Sequence, residues 1–222
     1  MKLYYAPASS YSQRVLIALF EKKARFIPIS VNLFEEQIRS EYTQINFFTK
    51  VPTLVTEKGD VLFEANIIIE YLDQKFPNIS RLIPTEEEQA LEVRMLERII
   101  DVYINAGREA LFADTQRPAE DQGKKEVVKA KRLLETALTL LDEKLAHRTW
   151  LGGEEFSLAD CAAAPTLAYL RMVYNYKHFS NLTNYVRRLE TRPSVAKVFR
   201  AGHDQMAKML SELPNPLQLS PL

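Results

Sequence analysis

The sequence predicts an α/β unit followed by an all-helical unit. Up to residue 76, short β-rich stretches alternate with helix-forming stretches, and beyond Pro77 only helical periodicity recurs. The 222 residues are 46% hydrophobic and 26% charged, which is typical of a globular protein with a substantial core. Together these observations favour one chain with two domains of different fold class.

The first unit has the predicted order β-α-β-α-β-β-α, which describes a small mixed sheet with helices packed on it. Apolar alternation and β-branched residues predict the strands, Lys58-Gly59-Asp60 predicts a hairpin turn, and Pro77 ends the last helix. The predicted elements are a strand over 2–6, a helix over 11–22, a strand over 26–31, a short helix over 33–43, strands over 51–55 and 61–63, and a helix over 65–76.

Two long helices are predicted to open the second unit. Thr85 and Glu88 have the spacing of a capping box at the start of the first one. Its predicted apolar face consists of Leu91, Met95, Ile99, Val102 and Ala106. A polar break over 114–123 precedes the second, whose predicted apolar face consists of Val127, Leu134, Leu138, Leu141 and Leu145.

Two further helices complete the second unit. Ser157 and Asp160 predict another capping box, and the helix over 158–173 is almost wholly apolar, so we expect it at the buried centre. Pro193 predicts the start of the last helix. The predicted domains are therefore 1–78 and 86–211, with a linker over 79–85 and an irregular tail over 212–222.

Composition and charge narrow the classes of partner. The chain has 29 basic and 29 acidic residues, and this balance argues against broad attraction to nucleic acid or anionic lipid. No apolar run is long enough to span a bilayer, and Met1-Lys2 leads into a strand pattern and not into a signal peptide. Cys161 is the single cysteine, and the three histidines are far apart. We therefore expect a cytoplasmic protein without a metal site, a membrane partner or a nucleic-acid partner.

The junction between the first strand and the first helix is the predicted functional centre. Ser9, Ser10 and Ser12 follow Pro7 where a helix N-terminus offers unpaired N–H groups and a partial positive charge. This arrangement favours an anion, although each serine could instead only cap the helix. A dithiol oxidoreductase would need Cys-x-x-Cys at this point, so any sulfur must come from a ligand. Arg14 either steadies this junction or is a solvated surface charge.

Four motifs in order resemble the glutathione S-transferase family over nearly the whole chain. The resemblance is to its serine-type classes, with zeta-like and theta-like features, and it implies a thioredoxin-like first domain, an all-helical second domain and a homodimer. Glutathione would be the co-substrate, with no metal. The four motifs are Ser9-Ser10-x-Ser12-x-Arg14-Val15, the cis-proline segment Lys50-Val51-Pro52-Thr53-Leu54, Phe63-Glu64-Ala65 with Glu70-Tyr71-Leu72, and Phe156-Ser157-Leu158-Ala159-Asp160.

The resemblance assigns roles to individual residues. Ser9, or Ser10 as the second choice, would donate a hydrogen bond to the glutathione sulfur and so favour the thiolate. Where Ala65 stands the family usually has a serine, and the missing hydroxyl removes one hydrogen bond to glutathione. The remaining assignments are Lys50 for the glycine carboxylate, Val51 and Pro52 for backbone pairing, Glu64 for the γ-glutamyl amine, and the backbone of Ala65 and Asn66 for the γ-glutamyl carboxylate.

The implied reaction is attack of the glutathione thiolate on a hydrophobic electrophile held between the domains. The expected pocket walls are Tyr11, Tyr103, Phe112 and Tyr169. Parts of the chain also resemble stringent starvation protein A, which has the same fold, associates with RNA polymerase and lacks transferase activity. The parts concerned are Tyr11-Ser12, the stretch from Glu70 to Pro77 and the stretch from Phe156 to Cys161. A non-catalytic binding protein of that type is therefore the alternative.

Overall fold

The computed structural model describes residues 1–219 and confirms a four-stranded mixed sheet with helices in the first unit. The sheet has the order β2-β1-β3-β4, in which β1 pairs with β2 in parallel and with β3 antiparallel. The elements are β1 (Lys2–Tyr5), α1 (Ser10–Glu21), β2 (Ile27–Ser30), α2 (Glu36–Thr43), β3 (Thr53–Val55), β4 (Val61–Phe63) and α3 (Ala65–Lys75).

The sheet topology follows from where each strand can hydrogen-bond. β2 contains Pro28, which has no N–H to donate, and it lies at the edge of the sheet where a missing donor is tolerated. The central strands carry the fully buried Leu3 and Leu54, which pair directly across β1 and β3. Because β1 and β3 are antiparallel, the end of β1, which leads into α1, lies beside the start of β3.

The second unit is all-helical, as predicted. Its helices are α4 (Glu87–Ile99), a π-helical segment (Ile100–Asn105), α5 (Ala106–Thr115), a 3-10 turn (Ala119–Asp121), α6 (Lys125–Leu145), α7 (Leu158–Leu170), α8 (Ser180–Thr191) and α9 (Pro193–Ser211). The five predicted core residues of α6 are buried, α7 is buried along its whole length, and the capping box of Ser157 and Asp160 is present.

The predicted core face of α4 is wrong. Leu91, Met95 and Val102 are exposed, and the buried stripe is instead Ala90, Val93, Leu96, Ile100 and Ile104. Both stripes are apolar at helical spacing, so periodicity alone does not decide which one meets the core. The cap is also shifted by one residue, because Glu86 and not Thr85 accepts hydrogen bonds from the N–H groups of Glu88 and Gln89.

Helix α8 has no counterpart among the predicted elements. Its buried residues Leu182, Tyr185, Val186 and Leu189 have the three- and four-residue spacing that would have identified an amphipathic helix.

The domain limits expected from the sequence, 1–78 and 86–211, stay predictions. Residues 76–86 contain no helix or strand, and neither do residues 212–219, whereas 220–222 lie outside the described residues. A buried ion pair anchors the start of the linker, since Lys22 Nζ lies 2.6 Å from Asp73 Oδ1 and also donates to the carbonyl of Ser80. Across residues 1–219 no helix is both long and apolar enough to cross a membrane.

Candidate functional site

Ser9 is the N-cap of α1, and among residues 1–219 its hydroxyl group donates no hydrogen bond. Its φ of −75° and ψ of 121° are extended, and its Oγ accepts a hydrogen bond from the N–H of Ser12 at 3.3 Å. Capping uses a lone pair of the oxygen, so the O–H can still donate to a ligand. The capping role and the donor role expected for Ser9 are therefore compatible.

The other two serines occupy different environments. Ser12 is fully buried, and its Oγ accepts from the N–H of Ala6 at 3.2 Å, so this side chain holds the turn between β1 and α1. Ser10 is buried in the first turn of α1 and lines the same cavity as Ser9. Ser9 and Ser10 thus stay candidates for contact with a ligand, and Ser12 has a structural role.

The segment before β3 is held from behind by a buried polar cluster. The carbonyl of Lys50 accepts from Tyr42 Oη at 2.8 Å and from Asn46 Nδ2 at 2.9 Å, and the same Asn46 nitrogen donates to Thr53 Oγ1. The Val51–Pro52 peptide bond is cis. Among residues 1–219 the N–H and C=O of Val51 make no hydrogen bond. Both groups are therefore available to an extended ligand backbone.

The start of α3 forms the opposite side of this region. Glu64 is its N-cap and has a φ of +70°, a conformation that a non-glycine residue adopts only at an energetic cost. Ala65 and Asn66 follow in the first turn, where backbone N–H groups have no helical partner and favour a carboxylate. An exposed carboxylate and a helix N-terminus therefore lie next to each other, which suits a ligand carrying both an amine and an acid.

Two adjoining cavities bring these elements together. The smaller one, of about 310 Å³, is lined by Lys50, Val51, Pro52, Glu64 and Ala65 among others. The larger one, of about 400 Å³, is lined by Ser9 and Ser10. Four residues belong to both linings, namely Tyr11, Lys50, Val51 and Glu109. Of the predicted glutathione residues, Asn66 alone is in neither lining.

The larger cavity has the apolar walls expected between the two units. Tyr11, Phe112 and Tyr169 line it, but Tyr103 does not. Tyr103 lies on the π-helical segment with 42% of its surface exposed. Tyr103 lines neither of the two cavities, whereas Phe112 on α5 lines the larger one. The expected pocket role of Tyr103 is therefore corrected.

Tyr11 is a neutral phenol whose proton is already engaged. Its Oη donates to Asp101 Oδ1 at 2.9 Å and accepts from Asn105 Nδ2 at 3.0 Å. Burial, with Asp101 nearby, raises the pKa of Tyr11 to about 12. Tyr11 can therefore form a wall of both cavities, but it is poorly suited to donate to a ligand sulfur.

Arg14 is a buried junction residue and not a solvated surface charge. Its side chain is 2% exposed, and its Nη1 lies 3.1 Å from Asp101 Oδ1 and 3.5 Å from Glu97 Oε1. Its Nη2 donates to Thr166 Oγ1 at 3.0 Å, and its guanidinium lies 4.4 Å from the centre of the Tyr11 ring. Arg14 therefore ties α1 to α4, to the π-helical segment and to α7 directly behind the site.

Helices α7 and α9 clamp the loop that carries Ser9. Tyr169 Oη donates to the carbonyl of Ala8 at 3.1 Å, and Gln205 Oε1 accepts from the N–H of Ala8 at 3.0 Å. Gly202 allows this approach, because a Cβ at that position would overlap the carbonyl oxygen of Pro7. Gly202 and Gln205 carry no local signal in the sequence, so only the packing of α9 reveals their part in the site.

Two other chemistries find no support in the described residues. Burial raises the pKa of Cys161 well above its ordinary value, so this thiol is a core group and not a nucleophile. Among residues 1–219 no three histidine, cysteine, aspartate or glutamate side chains lie in positions to hold a metal ion.

Comparison with known proteins relates both units to one family. Residues 8–75 match the glutathione S-transferase N-terminal domain and residues 99–193 match the C-terminal domain. A glutathione S-transferase of Arabidopsis thaliana is 31% identical over 181 residues, which cover 75% of this chain and 79% of that protein. A stringent starvation protein A homolog of Coxiella burnetii is 30% identical over 168 residues, covering 75% and 74%. A glutathione S-transferase structure from Methylobacillus flagellatus with GSH bound has a TM-score of 0.78 and 28% identity, covering 89% of this chain and 98% of that one.

Proposed function

The chain belongs to the glutathione S-transferase family, and on this premise we propose that it is a transferase joining the glutathione thiolate to a hydrophobic electrophile. The observation that carries the proposal is the meeting of three features at two adjoining cavities. These features are the N-terminus of α1 with Ser9, the backbone of Val51, which makes no hydrogen bond within residues 1–219, and the N-terminus of α3 with Glu64. Each supplies what a different part of glutathione requires.

In this proposal the smaller cavity binds the peptide. The backbone of Val51, next to Pro52, pairs with the cysteinyl backbone as a short added strand. Glu64 takes the γ-glutamyl amine, and the N–H groups of Ala65 and Asn66 take the γ-glutamyl carboxylate. Lys50, which is exposed at the junction of both cavities, meets the glycine carboxylate.

The proposed chemistry needs a thiolate in the larger cavity. Ser9 donates its free O–H to the sulfur, and the N-terminus of α1 adds a favourable partial charge, so the thiol releases its proton to solvent more readily. The sulfur then forms a bond to the electrophilic carbon. With an aryl halide, the halide leaves with the electron pair of the broken bond.

The Ser9→Ala variant tests the catalytic role. A hydrogen bond to a charged group is worth about 1.5–3 kcal/mol, so we expect kcat for conjugation of a chromogenic aryl halide to fall roughly 10- to 100-fold. The pKa of the bound thiol, read from the pH profile of the rate, should rise. Ser10→Ala is the matched control in the same cavity and should change the rate far less. Equal activity of Ser9→Ala and the parent protein, or the larger loss in Ser10→Ala, would contradict the assignment.

The Ala65→Ser variant tests the glutathione cavity. Ala65 is buried at the N-terminus of α3, and an added hydroxyl supplies one more donor to the γ-glutamyl carboxylate. We expect tighter glutathione binding by about 1 kcal/mol, a few-fold to tenfold in Kd measured by calorimetry. An unchanged Kd would mean that Asn66 or the backbone already satisfies that carboxylate.

The second candidate function is a non-catalytic binding protein of the stringent starvation protein A type. The 30% identity to the Coxiella burnetii homolog favours it. Retention on immobilised glutathione followed by turnover of an aryl halide supports the transferase. If the protein is neither retained on glutathione nor active on the aryl halide, but captures purified RNA polymerase, the transferase function is wrong and the binding function is supported.

The proposal includes a homodimer in the cytoplasm, without a nucleic-acid or membrane partner. Exposed apolar side chains support a second copy of the chain as a partner: Leu91 and Met95 on α4, Val102 after it, and the neighbouring, tilted rings of Phe47 and Phe48. Sedimentation equilibrium should give the mass of two chains, and the mass of one chain at micromolar concentration would contradict a stable dimer.

A further inference from the structure

Arg108 lies in the lining of the larger cavity, which is mostly apolar but also contains Lys50, Glu109 and the serines Ser9 and Ser10. The apolar part of this lining includes Leu33, Phe112, Met172, Met206, Met209 and Leu210. The side chain of Arg108 is only 12% exposed. A charged group in a mostly apolar pocket is the kind of feature that selects among ligands.

The guanidinium of Arg108 is oriented by its neighbours and keeps one nitrogen free. Nε and Nη2 both donate to Asn105 Oδ1, at 3.1 and 2.9 Å. Nη2 also lies 3.2 Å from Glu109 Oε1, but Glu109 is 60% exposed, so solvent screens this pair. Among residues 1–219, Nη1 makes no hydrogen bond. The orientation is thus set by Asn105, and Nη1 is left for a ligand.

The burial of the Arg108 side chain indicates which chemical group the ligand carries. Burial lowers the pKa of the Arg108 guanidinium, which still stays charged at neutral pH because its ordinary value is so high. A partly buried cation with a free N–H is stabilised by an anionic oxygen, which forms a short, charge-assisted hydrogen bond with it. The surrounding methionine and leucine side chains disfavour a small hydrated ion, so the anion should be attached to an apolar body.

We propose that this site takes electrophiles with an apolar body and one carboxylate, and that Arg108 binds the carboxylate through Nη1. The proposal rests on the transferase function and names its substrate class. Ser9 lines the same cavity, so an electrophile whose carboxylate is held by Arg108 presents its reactive carbon to the sulfur. The flexible methionine side chains adapt to the apolar body, while Arg108 fixes its orientation.

Two aryl chlorides of nearly the same shape test this. In 1-chloro-2,4-dinitrobenzene a nitro group stands where 4-chloro-3-nitrobenzoate has its carboxylate. In both, the thiolate adds at the carbon that bears chlorine, the electron pair moves into the ring and its ortho nitro group, and chloride then leaves. The kcat/KM values are measured at saturating glutathione for the parent protein, Arg108→Gln, Arg108→Lys and the control Arg132→Gln, which changes an exposed arginine on α6.

Arg108→Gln should lower kcat/KM for the benzoate roughly 10- to 100-fold and for the dinitrobenzene less than about threefold, as expected for the loss of one charged hydrogen bond. Arg108→Lys should retain part of the benzoate activity, and Arg132→Gln should match the parent protein. Equal losses with both substrates in Arg108→Gln would overturn the proposal, because they would mean that Arg108 only supports the fold of the site.

A binding measurement separates failure of this proposal from failure of the transferase function. The unreactive 3-nitrobenzoate is titrated into the parent protein and Arg108→Gln by calorimetry. Binding that is lost in Arg108→Gln supports the carboxylate site even if neither chloride is turned over, in which case only the transferase function fails. Absence of binding to the parent protein, or equal binding to both, would overturn the role of Arg108.

Discussion

Replacing Arg14 with methionine should lower the free energy of unfolding by about 3–5 kcal/mol at neutral pH. Methionine fills a similar volume but leaves the buried Glu97 and the half-buried Asp101 without their common cation. Removing one partner of a buried ion pair costs far more free energy than replacing both partners, because the remaining charge stays buried and unpaired. The Tyr11 ring also loses the guanidinium stacked on it, so the shared wall of the two cavities should loosen.

The destabilisation should depend on pH in a defined direction. Burial raises the pKa of Glu97, and Arg14 opposes this. Without Arg14 the pKa of Glu97 rises further, so the folded state binds a proton more tightly than the unfolded state. Stability is then lowest at neutral pH and recovers as the pH falls through the folded pKa of Glu97. Urea unfolding of both proteins at pH 7 and at pH 5 should show a smaller difference at pH 5.

Arg98→Met is the matched control for this prediction. Arg98 Nη1 also lies 3.1 Å from a carboxylate oxygen of Asp101, but its side chain is 55% exposed. We expect a loss below about 1 kcal/mol with little pH dependence, because water screens an exposed pair. A similar loss from both variants, or a pH-independent loss in Arg14→Met, would show that the desolvated carboxylates are not the cause.

Removing the carboxylate of Asp160 by Asp160→Ala should destabilise the second unit by about 4 kcal/mol or more. Oδ1 accepts from the N–H of Leu151 at 2.9 Å and from Tyr185 Oη at 2.6 Å. Oδ2 accepts from the N–H and the Oγ of Ser157 at 2.8 and 2.6 Å. Alanine leaves these donors buried without an acceptor, and each such group costs about 1–3 kcal/mol. Thermal and urea unfolding measure the loss.

Glu86→Ala provides the comparison for Asp160→Ala. Glu86 also caps a helix through two backbone hydrogen bonds, but it lies in solvent, so water replaces the lost acceptor. Its removal should be clearly less destabilising than that of Asp160. If the two variants lose the same stability, burial of the Asp160 donors is not what makes this cap strong.

The helices and strands were largely predictable because their signals are local. Alternation identified the strands, helical spacing identified α6, and Ser157 with Asp160 identified the start of α7. The exposed stripe on α4 was not predictable, because Leu91 and Met95 are as apolar as the buried Val93 and Leu96. Which stripe meets the core depends on the rest of the second unit.

The candidate site likewise contains residues that local sequence motifs identify and residues that only the packing identifies. Ser9, Val51 and Glu64 stand in recognisable short motifs, and the folded chain brings them to adjoining cavities. Arg108 stands in no such motif, and Gly202 acts on Pro7, which is nearly two hundred positions away in the chain. Contacts of this kind leave no pattern within a window of neighbouring residues.

By itself, the sequence determined the fold class, the family and the short segments that would hold a peptide thiol, because each depends on residues close together in the chain. Only the tertiary structure decided the rest: that Tyr103 does not line the pocket, that Arg14 is buried between two carboxylates, and that Arg108 lies in the lining of a mostly apolar cavity. The physical reason is that burial and charge pairing are set by how helices from distant parts of the chain pack, and packing decides which of several equally apolar or equally charged side chains loses its water.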